Sequence, residues 1–184
     1  MKFVELESER LIYRKFKQDD FPVVFDWFGN AENMKYWMSG TKNEAETRDY
    51  LDWVISNSES EEPDSYNFAV VIKSDNVLIG SAILTNMQDD PEIGWVLHRN
   101  YWRQGYGTEI GETLLKFGFD TLNLRRIIAG CNARNIGSYK IMEKIGMRRE
   151  AHFIKAQQGN SALNYEWCDR FQYAILREEW VMLR

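Results

Sequence analysis

The second half of the chain alternates between strand-type and helix-type hydrophobic patterns, and this alternation constrains the fold more than any other feature. Residues 92–98 and 126–131 have the composition of strands, and the second of these is an apolar run typical of a buried strand. Residues 105–121 and 135–144 repeat apolar side chains at helical spacing. Strands that alternate with helices predict a mixed α/β arrangement around one sheet.

The remaining segments complete a predicted order of β-α-α-β-β-β-α-β-α-β-β. Asp19 or Asp20 is expected to cap a first helix, with Pro22 in its first turn. A second helix is expected after residues 41–44, which have the form of a capping box. The other strands are predicted at residues 11–14, 66–73, 77–84, about 150–157 and about 163–176.

Length and composition exclude several classes of protein. The 184 residues fit one domain, which we expect to span residues 1–184. The net charge of −5, without a long basic block, argues against a nucleic-acid partner. We expect no membrane association, because the chain has neither a signal peptide nor an apolar run of about 18 residues. Two separated cysteines and two histidines without zinc-ligand spacing predict no metal and a cytoplasmic location.

A glycine-containing turn at residues 102–109 lies between a predicted strand and a predicted helix. Such a turn directs successive backbone N–H groups into one concavity at the positive end of the helix, which suits phosphate oxygens. Gly105 and Gly107 lack the Cβ atoms that would obstruct a close approach. The segment matches neither a Walker loop nor a dinucleotide fingerprint. It predicts a phosphate site of another kind, and an ordinary helix start is the alternative.

A polar pair marks the next junction between a strand and a helix. Asn135 lies where the strand passes into the helix, and Ser138 follows three residues later on the same face. Both side chains can form hydrogen bonds with a ligand that lies along the helix start. The alternative interpretation is that Asn135 is an N-cap and Ser138 an ordinary residue of the first turn.

Taken together and in order, these segments resemble the GCN5-related N-acetyltransferase (GNAT) superfamily, and most closely its RimJ/RimL-type branch. The resemblance implies an α/β fold: a single domain with a mixed, mostly antiparallel central sheet, splayed fourth and fifth strands and flanking helices. It covers nearly the whole chain and rests on residues 9–14, 92–97, 103–109, 135–147 and 173–180.

The resemblance implies an acyltransferase that moves an acetyl group from acetyl-CoA, its co-substrate, to a primary amine. Residues 103–108 would hold the pyrophosphate by backbone amides, and residues 95–97 would offer backbone groups to the pantetheine arm. The N–H of Val96 or Leu97 would steady the developing oxyanion. The cofactor-binding residues implied are Trp95, Val96, Leu97, Arg103, Gln104, Gly105, Tyr106, Gly107, Thr108, Asn135 and Ser138.

The catalytic candidates implied are Glu92 and Ser138. An amine attacks a thioester only after losing its proton, and Glu92 matches the catalytic glutamate of some superfamily members. Its alternative interpretation is a surface carboxylate at a strand end; His98 is a weaker candidate. Many members place a tyrosine acid where this chain has Met142, which cannot donate a proton. Protonation of the thiolate then falls to Ser138, to water or to no side chain.

The acceptor is predicted from the region that surrounds the amine in this superfamily, namely the first two helices and the loop between the last two strands. Neutral and apolar groups dominate there, which favours a protein or peptide N-terminal α-amine or a compact small-molecule amine. A polyamine, an antibiotic and a catalytically silent acyl-CoA-binding module remain alternatives, and the chain is expected to be a monomer or a homodimer. The groups are Trp27, Trp37, Met38, Trp53 and the turn at residues 158–160, with the acidic residues Glu59, Glu61, Glu62 and Asp64 expected in a solvated loop.

Overall fold

Eight strands form one sheet in the computed structural model, which describes residues 2–61, 63 and 65–183. The strands are β1 (Leu6–Glu7), β2 (Leu11–Arg14), β3 (Tyr66–Ile72), β4 (Val77–Thr85), β5 (Glu92–Leu97), β6 (Arg126–Asn132), β7 (Arg148–Gln158) and β8 (Trp167–Leu176). The helices are α1 (Phe21–Phe28), α2 (Glu44–Glu59), α3 (Tyr106–Lys116), α4 (Ile136–Lys144) and α5 (Arg177–Met182). Across the sheet the strands follow the order β1-β2-β3-β4-β5-β6-β8-β7.

The sheet is antiparallel except at its centre, where β5 and β6 run parallel. In the part of the chain that the structure describes, these two strands pair only at Glu92 and Ile128, where the Ile128 N–H donates to the Pro91 carbonyl at 2.8 Å. Beyond this point β5 and β6 diverge towards their C-terminal ends. The predicted splay and the single-domain α/β architecture are confirmed.

The sheet separates two apolar clusters, one on each face. Alternate residues of β3 show this, because Phe68 and Val70 belong to the cluster under α3 and α4, whereas Ala69 and Val71 belong to the cluster under α1 and α2. The buried residues that the helices contribute are Ile110, Leu114 and Met142 on the first face, and Val24, Trp27 and Leu51 on the second.

The structure changes two details of the predicted first helix. Asp20 precedes α1 but makes no side-chain cap. Its carboxylate instead accepts two hydrogen bonds at 2.8 Å from the Arg14 guanidinium and one from the Lys17 N–H. Helical spacing also predicts an inward stripe of Phe21, Val24, Phe25 and Phe28. Phe25 is instead exposed, and Trp27, outside that stripe, is fully buried.

The last predicted strand begins later than expected, at Trp167. Asn160 caps a short 3₁₀ turn at Ser161–Leu163 by accepting from the Ala162 N–H at 2.9 Å. Asn164 and Tyr165 follow with φ of +52° and +54°, which is incompatible with an extended strand. The sequence interpretation also missed β1, of two residues, and α5, of six, because segments this short carry little periodicity.

Candidate active site

A cleft of about 640 Å³ opens where β5 and β6 diverge. Its walls come from the strand edges, the N-terminal ends of α3 and α4, and the connection between α1 and α2. Among the residues predicted to bind the cofactor, those that line it are Trp95, Val96, Leu97, Arg103, Gly105, Gly107, Thr108, Asn135 and Ser138. The sequence therefore brings most of its predicted site to one cavity.

The turn before α3 presents backbone N–H groups to this cleft. Gly105 is the N-cap with φ of +85°, and Arg103 has φ of +60°, so the chain folds back sharply before the helix. The Glu109 N–H donates to the Gly105 carbonyl at 3.1 Å, and the amides before Glu109 have no acceptor inside the helix. This geometry suits an anion.

Two predicted residues of this turn do not line the cleft. The Gln104 side chain donates to the Asn100 carbonyl at 2.9 Å, on the surface. The Tyr106 ring lies against the Arg10 guanidinium at 4.3 Å. Both can still contribute backbone amides, but their side chains stabilise the turn.

Gly107 is required by helix packing as well as by the turn. A Cβ atom there would lie 2.4 Å from Cδ1 of Ile141 on α4, closer than real contacts allow. Gly107 therefore sets how closely α3 and α4 approach each other. Gly107 thus has a packing role in addition to the close phosphate approach predicted for it.

The register of β4 and β5 decides which backbone groups of β5 face the cleft. The His98 N–H donates to the Ile79 carbonyl at 2.8 Å, and paired residues alternate regularly from that point. Val96 is therefore hydrogen-bonded to Ser81 of β4, whereas Trp95 and Leu97 direct their backbone groups towards β6. The prediction that Val96 offers a backbone amide to the cleft is wrong, because β4 already uses it.

Leu97 has only its N–H available for a ligand. Its carbonyl accepts from Asn33 Nδ2 at 2.9 Å and from Trp102 Nε1 at 2.8 Å. Both lone pairs of that oxygen are then used. The open edge of β5 thus includes the Trp95 N–H, the Trp95 carbonyl and the Leu97 N–H.

Asn135 and Ser138 meet at the start of α4. Asn135 Oδ1 accepts from the Ser138 N–H at 3.2 Å, so Asn135 is an N-cap that also lines the cleft. Cys131, at the end of β6, lies beside Ser138. Burial raises the pKa of the Cys131 thiol to about 11, although a hydrogen bond with Ser138 and two arginine charges act in the opposite direction. At neutral pH this thiol stays protonated.

Glu92 lies at the closed end of the splay and is not a lining residue of the cleft. Its carboxylate accepts from Arg170 Nη2 at 3.4 Å. Arg170 reaches it by crossing Gly130 of β6, where a Cβ atom would lie 2.3 Å from the same nitrogen. The structure thus separates Glu92 from Ser138, the other catalytic candidate.

The connection between α1 and α2 forms the far wall of the cleft and is held from two sides. Asn33 donates to the Leu97 carbonyl and accepts from the Arg99 N–H at 2.8 Å. Asn160 donates to the carbonyls of Met34 and Trp37 at 2.9 and 2.7 Å. Of the tryptophans proposed for the acceptor region, Trp37 lines the cleft, Trp27 is core and Trp53 is exposed elsewhere on α2.

Several lining residues escaped the sequence interpretation. Lys140 and Lys144 lie one turn apart on α4. Their spacing places them on one face of the helix that follows Asn135, and this could have predicted that they line the cleft. The others come from segments distant in sequence, and no local pattern marks them. The missed residues include Glu32, Asn33, Tyr36, Gly130, Cys131, Asn132, Lys140 and Lys144.

His98 and His152 are occupied elsewhere in the fold. His98 Nε2 lies 2.7 Å from Asp26, while Nδ1 accepts from the Asn100 N–H at 3.3 Å. His152 Nε2 lies 2.7 Å from Asp169, away from the cleft. Over residues 2–61, 63 and 65–183, no three His, Cys, Asp or Glu side chains are grouped as metal ligands. No helix in the same part of the chain has the length and apolar character needed to cross a bilayer.

A parallel pair of strands that splays apart in a mixed sheet, next to a helix N-terminus, is the arrangement that the resemblance to acetyltransferases implies. Residues 10–148 match the acetyltransferase (GNAT) domain family, and the chain belongs to that family. Over 180 residues it is 34% identical to YnaD, an uncharacterized N-acetyltransferase of Bacillus subtilis (strain 168), covering 96% of this chain and 99% of the relative.

Solved structures share the fold. The acetyltransferase (GNAT family) from Bacillus anthracis superposes with a TM-score of 0.81 at 35% identity, over 95% of this chain and 99% of that one. A spermidine N-acetyltransferase from Vibrio cholerae, in complex with CoA and spermine, has a TM-score of 0.80 at 18% identity, with the same two coverages. At 18% identity the second likeness concerns the fold alone.

Proposed function

We propose that residues 1–184 form one RimJ/RimL-type acetyltransferase domain, which transfers an acetyl group from acetyl-CoA to a primary amine in the cytoplasm. The observation that carries the proposal is that the free amides of α3 and the open edge of β5 line the same cleft. The free amides of α3 suit a pyrophosphate, and the open edge of β5 suits the amide groups of a pantetheine arm.

The fit to acetyl-CoA extends to charge. Arg103, Lys140 and Lys144 line the cleft near the N-terminal end of α3 and along α4, where they complement the phosphates. Acetyl-CoA supplies the activated acyl group. The Leu97 N–H is the β5 amide available to the acyl oxygen as negative charge develops there, a contact that typically contributes ~3 kcal/mol.

Proton transfer requires two routes, one from the amine and one to the leaving thiolate. Ser138 lines the cleft and carries a hydroxyl, so it is our candidate donor to the thiolate. Glu92 remains our candidate acceptor for the amine proton. Because Glu92 lies outside the cleft lining, its role requires a water between its carboxylate and the amine.

The acceptor we favour is a peptide N-terminal α-amine or a compact mono-amine. Among the described residues that line the cleft, Glu32 is the one carboxylate, and one carboxylate matches one ammonium group. A polyamine carries several ammonium groups and favours a site with several carboxylates. The acidic residues Glu59 and Glu61 are exposed at the end of α2, where Glu61 pairs with Lys2, and Glu62 and Asp64 lie outside the described residues. Polyamine or antibiotic acetylation and silent acyl-CoA binding are the competing functions.

Titration calorimetry with acetyl-CoA, followed by release of free CoA thiol with a panel of amines, tests the proposal. We expect low-micromolar or tighter binding, abolished by Gly105→Asp because a carboxylate would stand where phosphate binds. Asn76→Asp, in the exposed turn between β3 and β4, is the control for charge. Wild-type affinity in Gly105→Asp would place the site elsewhere.

The amine panel separates the acceptor classes. It contains spermine, an aminoglycoside and short peptides with free N-termini. A kcat/KM for spermine about tenfold above that of any peptide, equivalent to about 1.4 kcal/mol, would refute the preferred acceptor. Binding of acetyl-CoA without thiol release for any amine would favour the silent module.

A further inference from the structure

We propose that the side-chain amide of Asn132 selects the acceptor by donating a hydrogen bond to an acyl oxygen next to the reacting amine. The acceptor class is then an α-amino acyl compound, in which a carbonyl group follows the carbon that bears the amine. This inference rests on the proposed function and adds a specificity-determining residue to it.

Asn132 lies on the face of the sheet that meets the acceptor wall. Ile127 and Ala129 of β6 belong to the cluster under α3 and α4, and Cys131 packs against the same cluster. Because side chains alternate along a strand, Gly130 and Asn132 project from the opposite face. That is the face covered by α1, α2 and the connection that carries Tyr36 and Trp37.

Asn132 holds a buried donor without a partner. Asn132 is 2% exposed and is one of the residues that line the cleft. Oδ1 accepts from the Arg134 N–H at 2.9 Å, which fixes the side chain and identifies its nitrogen. Within residues 2–61, 63 and 65–183, Nδ2 has no hydrogen-bond acceptor. A buried amide donor is normally satisfied, so a ligand oxygen in the cleft is its natural partner.

The surroundings of Asn132 favour an oxygen over a second ammonium group. Arg170 of β8 pairs directly with Asn132, so the two side chains share one face. The Arg170 guanidinium lies over Gly130, the neighbouring position on that face. Its positive charge, although shared with Glu92, repels a polycation and attracts an oxygen dipole.

The opposite wall supplies the complementary groups. Glu32 provides a negative charge for the incoming ammonium, and the rings of Tyr36 and Trp37 offer apolar contact. One carboxylate, one amide donor and two aromatic rings match an amine, an acyl oxygen and a side chain. An alkylamine of the same size leaves the Asn132 donor unsatisfied.

The test compares two acceptors that differ only in the carboxamide: leucinamide and 3-methylbutylamine. Rates are measured by CoA thiol release and expressed per concentration of unprotonated amine, because the two amines differ in basicity. We expect the wild-type kcat/KM to favour leucinamide by at least about tenfold. In Asn132→Asp, which keeps Oδ1 for Arg134 and removes the donor, the preference should fall to about twofold or less.

Two further measurements keep this result interpretable. Asn132→Ser removes the amide without adding charge and should lose the same preference, and acetyl-CoA affinity by calorimetry shows that each variant is folded. Asn76→Asp should keep the wild-type preference. A wild-type ratio near one, or a ratio unchanged in both Asn132 variants, would overturn the assignment while leaving the acetyltransferase proposal intact. A wild type that binds acetyl-CoA but transfers to neither of these two amines, nor to any amine of the panel above, would refute the proposed function, and the assignment with it.

Discussion

Replacing Gly107 with alanine should destabilise the protein, and replacing Ile141 with valine in the same chain should relieve the clash, so that the second change adds little or no further loss. Gly107 is buried near the start of α3, where α3 contacts α4. The added Cβ would lie 2.4 Å from Cδ1 of Ile141 and 3.4 Å from its Cγ1. Ile141→Val deletes the Cδ1 atom and leaves an ordinary contact distance.

The magnitude follows from opposing contributions. Overpacking typically costs about 1 to 3 kcal/mol, whereas alanine is favoured over glycine in a helix by about 1 kcal/mol. Because Cδ1 is the end of a side chain that can rotate, we expect a net loss of about 1 kcal/mol for Gly107→Ala. Ile141→Val alone should cost about 0.5 to 1.5 kcal/mol. The double variant should be more stable than the sum of the two losses by about 1 kcal/mol.

The assay is denaturant unfolding of the four proteins, followed by the fluorescence of the 7 tryptophans, with unchanged m-values required for the comparison. Acetyl-CoA affinity is the second measurement, because Gly107 contributes to the amide-rich turn. Gly107→Ala should weaken binding, and the double variant should recover it. Losses that add to within about 0.5 kcal/mol would refute the packing argument.

Glu92→Gln should slow transfer to an amine most strongly at low pH, where the amine is protonated and needs a base to accept its proton. His98→Gln is the control and should leave the pH profile unchanged. Wild-type rates of Glu92→Gln across the pH range would remove Glu92 from the mechanism. Glu109→Gln should cost about 2 kcal/mol, because the Glu109 carboxylate accepts from Ser8 and from the Arg10 N–H and guanidinium at 2.7 Å each. Burial raises the pKa of Glu109, but these hydrogen bonds and the Arg10 charge outweigh it, so the folded pKa lies below the ordinary 4.5. The stabilisation is therefore present above pH 4.5 and is lost as the pH falls through the folded pKa, so the free energies of unfolding of wild type and Glu109→Gln should converge in acid. Glu112→Gln, on the exposed face of α3, is the control. A difference in free energy of unfolding that stays constant with pH would contradict an origin in the Glu109 charge.

Local chemistry explains what could be predicted from the sequence. The turn before α3 and the Asn135 cap are encoded by neighbouring residues, so their positions in the cleft could be anticipated. The choice between Val96 and Leu97 could not, because it depends on the register of β5 against β4. Asn132 gave no signal, because the burial of its amide depends on strands and loops that are distant in sequence.

The single paired position between β5 and β6 has a mechanical consequence. Every other described strand pairing spans at least two positions. The pairing with the fewest paired positions therefore lies where the cleft opens. This single pairing connects two parts of the sheet, strands β1 to β5 and strands β6 to β8. A ligand that forms hydrogen bonds with the β5 edge and with the N-terminal ends of α3 and α4 would connect the two parts of the sheet. Binding in the cleft would therefore also reduce local opening of the sheet between β5 and β6.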